Sequence, residues 1–292
     1  MPCYSPLNGY TGPDGAFKWS AREGTGVELT VPCRQCIGCR ITHSQDWKLR
    51  ILHEARLHTD NIFLTLTYAT APLSLNYRDV QLFLKRVRKR LGPFRFFCVG
   101  EYGEQFSRPH YHLILFGLRF PDQRTISLTS PNPERQQSKI CEKLWGLGHI
   151  TIGAVNHKTA SYVASYAFKR VNGDRAKTYY TVFDQDGVCH PIEPELIRMS
   201  NRPGIGHGWF QRFGSDAIRG DFCISNGRKV PLPKYYDRLL ERTDPARLNE
   251  LKEGREAQSL IHREERHYKR LAVRAEVAQA RVNQQSKRKF ET

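Results

Sequence analysis

The sequence predicts an α+β chain, and three stretches carry that prediction. Ile62–Tyr68 (IFLTLTY) is a β-branched and aromatic run, the composition that fits a pleated, half-buried strand. Phe94–Tyr102 (FRFFCVGEY) and His110–Gly117 (HYHLILFG) are two more strands, joined only by Gly103–Pro109. A connection that short favours an antiparallel hairpin. Between the first strand and the hairpin, Asn76 caps a helix running to about Leu91. Its buried stripe is Val80, Phe83, Leu84, Val87 and Leu91, and Gly92-Pro93 stops it.

The remaining elements follow in order. Residues 1–40 are rich in Gly, Pro and turn formers, with a short strand at Gly26–Val31, and predict a small N-terminal lobe. From Ile41 to about His58, Ile41, Trp47, Ile51 and Leu52 recur at roughly helical spacing. Residues 121–138 are polar and loop-like, with a short helix over Gln137–Trp145. His149–Val155 (HITIGAV) is a strand and Thr159–Lys169 a helix. Gly and Pro break the stretch 172–230 repeatedly. From Pro245 to Gln285 the chain is almost free of both and lacks a continuous apolar stripe, which predicts a long solvated helix or a partly disordered basic tail. The expected organisation is a Cys-rich lobe over 1–40, a catalytic domain over 41–215 and a basic, mostly helical region over 216–292.

Composition narrows the function classes. Of 292 residues, 39% are hydrophobic, enough for a core, so a wholly disordered or collagen-like chain is excluded. No apolar run approaches the roughly 20 residues that span a bilayer, and MPCYSPLNGY lacks the charged-then-apolar order of a signal peptide. The expectation is a soluble intracellular chain without a membrane partner. Lys and Arg number 46 against 29 Asp and Glu, a net charge of +17. Such a field attracts a phosphate backbone.

The cysteines point to a structural metal. Cys33, Cys36 and Cys39 form CRQCIGC, with two residues between each pair, a spacing that presents thiolates to one ion such as Zn2+. Cys3 is the expected fourth ligand and His43 the second candidate. Cys98, Cys141, Cys189 and Cys223 are scattered and read as small core residues.

The most specific motif is Arg108-Pro109-His110-Tyr111-His112. Strand residues two apart share a face, so His110 and His112 project together, away from Tyr111. The hairpin folds Glu101 back beside them, and two imidazoles with a carboxylate suit a divalent metal with open positions. Glu104, in the loop, is the alternative carboxylate. Downstream, Tyr162 and Tyr166 lie four apart on a predicted helix, with Lys169 a further turn along. A phenol is a poor nucleophile near neutral pH, but a nearby cation favours the phenolate. Candidate phosphate contacts are Arg108 at the head of the motif and Lys85, Arg88 and Lys89 on the basic helix face. Thr65 and Thr67 share a strand face, which ordinary cross-strand packing would explain.

Together these residues carry a resemblance. Leu64-Thr65-Leu66-Thr67, the His110/His112 pair and the Tyr162/Tyr166 helix occur in the order used by the HUH endonucleases of rolling-circle replication. More closely, GEYG at Gly100–Gly103, RPHYHLILFG at Arg108–Gly117 and YVASYAFKR at Tyr162–Arg170 resemble the replication initiators of gokushovirus-type microviruses, small single-stranded DNA phages. The likeness covers roughly residues 1–215. It implies a central antiparallel sheet flanked by helices, with Mg2+ or Mn2+ held by His110, His112 and Glu101. It also implies a tyrosine that cuts single-stranded origin DNA, leaving a 5′-phosphotyrosine and a free 3′-OH. For the strand of Thr65 and Thr67 it implies a structural or DNA-contacting role, the alternative to cross-strand packing. Tyr166 is the expected first nucleophile, because Lys169 follows it at the spacing of related initiators, and Tyr162 the second. Host polymerase and helicase are the implied partners, in the cytoplasm of a bacterial host. No GxxxxGK[ST] loop occurs, so unwinding is expected from another protein.

Two rival readings explain less. A non-haem iron oxygenase accounts for neither the charge nor the paired tyrosines. A non-enzymatic single-stranded nucleic-acid-binding protein with a zinc knuckle accounts for the charge but leaves the clustering of His110, His112 and Glu101 unexplained.

Overall fold

The computed structural model describes residues 3–103, 106–126, 135–166, 171, 175–183, 186–261 and 264–290. Two compact units are present: Met1–His43 with Asp237–Thr292, and Ser44–Tyr236.

The first unit contains β1 (Leu7–Thr11), β2 (Phe17–Lys18) and β3 (Glu28–Val31), which form an antiparallel sheet in the order β2-β1-β3. The chain then enters α1 (Ile37–Ala55), which starts earlier than the apolar spacing predicts because the cysteine turn leads directly into it.

In the second unit the chain continues through β4 (Asn61–Tyr68), α2 (Tyr77–Leu91), β5 (Arg95–Tyr102) and β6 (Pro109–Phe116). The short strands β7 (Arg124–Thr125) and β8 (Gln136–Gln137) follow, then α3 (Lys139–Trp145), β9 (Gly148–Ala154) and α4 (His157–Ser165). Beyond them lie α5 (Arg175–Tyr179), β10 (Thr181–Phe183), β11 (Cys189–Pro191), β12 (Leu196–Met199), α6 (His207–Gly220), β13 (Phe222–Ser225) and β14 (Arg228–Pro231). The helices α7 (Lys234–Thr243), α8 (Pro245–Ile261) and α9 (Tyr268–Phe290) complete the chain.

Among the described residues, seven strands form one sheet in the order β12-β5-β6-β4-β9-β8-β7, with every neighbour antiparallel. Helices flank it, so the protein is α+β as the sequence predicts. Alternation along the strands separates two cores. On one face Leu64, Leu66, Tyr111, Leu113 and Leu115 meet Phe83 and Val87 of α2 and Trp145 of α3. On the other, Phe97, Val99, Ile114 and Phe116 meet Ile51 of α1 and Ala160 and Val163 of α4. The predicted caps are in place. The Asn76 side chain accepts from the Arg78 N–H, and Gly92 ends α2 with φ 90, a conformation that favours glycine.

Three expectations need correction. The long C-terminal helix is two helices, α8 and α9, with a short 3-10 turn at Glu264–Arg266, and no Gly or Pro marks the break. Cys189 is exposed, because β11 belongs to a two-stranded ribbon with β10 rather than to a core; Cys98, Cys141 and Cys223 are buried. The predicted helix Thr159–Lys169 begins at His157 and is described to Ser165, with Tyr166 at its boundary. No described helix is long and apolar enough to cross a membrane.

Candidate active site

The hairpin register assembles the site. Glu101 of β5 lies directly opposite His110 of β6, while His112 pairs with Val99 on one side and Thr65 of β4 on the other. Thr67 is opposite His110. All five polar side chains therefore share the sheet face that α4 covers. Local chemistry fixes α4. The Asn156 side chain accepts from the Lys158 and Thr159 N–H groups, and the Thr159 hydroxyl accepts from the Asn156 N–H, a reciprocal cap. Ala160, Val163 and Ala164 are buried, and the spacing brings Tyr162 and Tyr166 over the histidine.

His112 is the centre of the cluster. Its Nε2 is 3.0 Å from Glu101 Oε1 and 3.3 Å from the Tyr162 hydroxyl, and its Nδ1 is 3.1 Å from Thr65 Oγ1. The ring is stacked with Phe63 on β4 and with Tyr166, at centroid distances of 5.8 and 5.4 Å. The two tyrosine rings meet edge to face at 4.9 Å. Glu101, His112 and Tyr166 are all buried. Burial, reinforced by Tyr162 and then Glu101, pushes the Tyr166 phenol far above its ordinary range, so it is a neutral phenol here.

His110 is half-buried, and burial followed by the neighbouring His112 lowers its pKa. Its Nδ1 is buried with no hydrogen-bond partner among the described residues. The ring lies against Gly103, where a Cβ would fall 3.2 Å from Cδ2 and Nε2, so a larger residue there would displace it. Among the described residues, only the four cysteines bring three or more His, Cys, Asp or Glu ligand atoms within 4.8 Å of one another. The set His110, His112 and Glu101 is more open, with His112 closed directly onto Glu101. Two imidazoles, a buried carboxylate and an orphaned ring nitrogen on one face still make a donor set that fits a divalent cation.

The other predicted contacts divide. The Arg108 guanidinium donates to the carbonyls of Tyr68 at 2.8 Å and Ala69 at 3.4 Å, tying the start of β6 to the end of β4. Arg88 lies over the Phe94 and Phe96 rings, at 4.7 and 5.5 Å. Lys85 and Lys89 are exposed on the outer face of α2. Lys169 and Glu104 lie outside the described residues. Sequence reasoning missed the Phe63 stack, although its period-two relation to Thr65 places it on the same face. The Thr65 hydroxyl meets the histidine ring, a structural role of the kind its strand position allows.

In the first unit, Cys3, Cys33, Cys36 and Cys39 converge. Cys3 Sγ is 3.7 Å from Cys33 Sγ and 3.9 Å from Cys36 Sγ. Four thiolates at about 2.3 Å from one zinc stand roughly 3.8 Å apart. Backbone N–H groups point at the sulfurs: Cys33 to Cys3 at 3.3 Å, Cys36 to Cys33 at 3.2 Å and Tyr4 to Cys36 at 3.2 Å. Cys3 occupies the fourth place, and His43 is exposed outside the group.

Comparison with known proteins agrees with this arrangement in its coarse outline. The family described as Replication-associated protein ORF2/G2P matches residues 61–171, which include β4, the hairpin and α4. The Replication-associated protein VP4 of Bdellovibrio phage phiMH2K is 30% identical over 260 residues, covering 84% of this chain and 79% of that protein. The Replication-associated protein ORF2 of Spiroplasma virus 4 is 30% identical over 250 residues, covering 79% and 74%. The Replication-associated protein ORF4 of Chlamydia phage 1 is 25% identical over 224 residues, covering 73% and 54%. No solved structure matches the chain.

Proposed function

The chain belongs to the family of phage replication-associated proteins, and from that premise we propose that it initiates rolling-circle replication by cutting single-stranded origin DNA with a tyrosine. The observation that carries this reading is the packing of Tyr166, which is buried, and Tyr162, which is half-buried, against the His112–Glu101 pair. Neither core packing nor nucleic-acid binding alone requires two phenols beside a buried carboxylate and imidazole.

His110, His112 and Glu101 hold Mg2+ or Mn2+, which when bound neutralises charge on the scissile phosphate. Thr65 fixes the tilt of the His112 ring through Nδ1 and so directs Nε2 to the site. The tyrosine hydroxyl oxygen attacks phosphorus, its bond to phosphorus forms, and the 3′-oxygen of the preceding nucleotide leaves as a free 3′-OH. The phenol gives its proton to solvent and the departing 3′-oxygen takes one from solvent, so protons balance over the step, and the Lys169 ammonium favours the phenolate. The 5′-phosphotyrosine conserves the energy of the phosphodiester, so a 3′-OH can later reverse the reaction without ATP. Tyr166 makes the first cut and Tyr162 the second, one holding the parental 5′ end while the other acts on the regenerated origin.

The nuclease domain spans residues 41–215, and Cys3, Cys33, Cys36 and Cys39 hold a structural Zn2+. The free 3′-OH primes a host polymerase, with a host helicase unwinding ahead, in the cytoplasm of a bacterial host. Lys85 and Lys89 supply non-specific phosphate contacts, with Arg88, Arg108 and Thr67 lining the strand's path.

The test is product chemistry. Protein, Mn2+ and origin-containing single strands should give one fragment that a polymerase extends and one whose 5′ end stays blocked until protease treatment. Fragments with free 5′-phosphates would mean that water, not tyrosine, is the nucleophile.

A further inference from the structure

A cavity of about 520 Å3 opens between the C-terminal end of α1, α6 and β13; its lining residues all belong to the unit Ser44–Tyr236, and none belongs to the tyrosine site. That volume lies inside the roughly 300–1,000 Å3 range of small-ligand sites. Its floor is aromatic. The His53 imidazole stacks on the Trp209 indole at 3.5 Å and 10°, and the Tyr236 ring lies beside the pair, nearly parallel to both and 5.8 Å from each. His53 Nδ1 is 2.8 Å from the Tyr236 hydroxyl, which fixes the ring.

The rim has a different character. Phe213 is 44% exposed and Ile224 58% exposed, so two large apolar side chains stand half in water at the mouth. Arg56 and Asp216 line the same cavity, and neither forms an ion pair among the described residues. His53 lines the cavity with its Nδ1 engaged by Tyr236, which leaves Nε2 open to solvent or a ligand. Two further cations sit over the rim's rings: Arg212 over Phe213 at 5.4 Å and Lys229 over Phe222 at 4.4 Å.

A purely apolar ligand would leave Arg56, Asp216 and His53 Nε2 desolvated without partners, which is costly. A free anion would use the cations but not the exposed rings, and Asp216 would repel it. An unpaired nucleobase uses both: a flat π-face for the aromatic ledge, a donor–acceptor edge for Asp216, Arg56 and His53, and an attached phosphate for the outer cations. We infer that this cavity takes one unpaired nucleobase of the DNA strand, stacked on Phe213 and read at its edge by Arg56 and Asp216. The inference rests on the proposed single-stranded DNA substrate but not on tyrosine chemistry.

The experiment separates the two. Binding of labelled single-stranded oligonucleotides would be measured by anisotropy in the Tyr162→Phe/Tyr166→Phe background, where no covalent product interferes. Adding Phe213→Ala should weaken binding by roughly 5- to 100-fold, the effect of removing one base stack, and Phe213→Tyr should restore it. A scan of abasic positions should find one site where the parent loses affinity and the Phe213→Ala protein does not. Equal affinity of the parent, Phe213→Ala and Arg56→Ala, or identical abasic profiles, would overturn the pocket. A covalent adduct from the wild type with unaffected pocket variants removes the pocket alone. Weakened pocket variants with no adduct under any metal remove the nicking reading alone.

Discussion

Tyr111 and His112 are neighbours on β6 and point to opposite faces of the sheet. On the Tyr111 side, the phenol accepts from the Asn76 N–H at 2.7 Å and lies beside the Tyr68 hydroxyl, which donates to Asp79 at 2.7 Å. Those bonds secure the start of α2 against the sheet. On the His112 side, Tyr162 and Tyr166 meet an imidazole and a buried carboxylate instead of a helix cap. Both faces bury hydroxyls, and burial raises the pKa of Tyr111 to about 12 and that of Tyr166 further. The difference lies in the partners: one face spends its polar groups on closing structure, the other gathers an imidazole and a buried carboxylate against two phenols.

Substitutions can break that contrast. The largest expected effect is Tyr162→Phe with Tyr166→Phe, which should abolish covalent DNA attachment while leaving thermal unfolding nearly unchanged, checked by denaturing gel and calorimetry.

Next in size is the acid response of His53, on α1 at the His112 face. Burial, and then the Arg56 charge, hold its pKa at about 4. The unfolded chain protonates this side chain near pH 6.5. Stability from its neutral form is therefore complete above pH 6.5 and is lost as the pH falls towards 4, by about 3 kcal/mol. Urea unfolding at pH 7, 5.5 and 4.5 should show this loss, and His53→Phe should flatten it.

Thr65→Val keeps shape but removes the contact to His112 Nδ1. It should lower Mn2+ affinity by about 10- to 100-fold at nearly constant melting temperature, with Thr65→Ser restoring it. The smallest effect belongs to the opposite face. Tyr111→Phe should cost about 1–2 kcal/mol of stability and leave the cleavage rate per folded molecule intact. If Tyr111→Phe instead stops cleavage in a stably folded protein, the division between the faces fails.

Much of this was legible because β-strands write their faces into the sequence with period two. Alternation in HYHLILFG separates His110 and His112 from Tyr111, and the short loop Gly103–Pro109 brings Glu101 opposite. What was not legible depends on pairings that local pattern does not encode. The edge strand Leu196–Met199 is defined by its register with Phe97–Gly100, inside a stretch broken by Gly and Pro. The two-residue strands β7 and β8 carry no periodicity of their own. Charge alone does not show what a cation touches: Arg108 donates to backbone carbonyls and Arg88 lies over rings. The cysteine turn was legible from its spacing, whereas the place of Cys3 depends on a return of the chain across thirty residues.

The most direct test is a covalent-adduct assay. Wild type, Tyr162→Phe, Tyr166→Phe and the double variant would be mixed with oligonucleotides tiling the phage origin region, with Mn2+ or Mg2+, then with chelator, and run on denaturing gels. The account predicts a shifted, chelator-sensitive band that the double variant loses, with Tyr166→Phe more severe than Tyr162→Phe on the first cut. Salt-dependent binding of the same oligonucleotides by the wild type, with no shifted band under either metal, would contradict it.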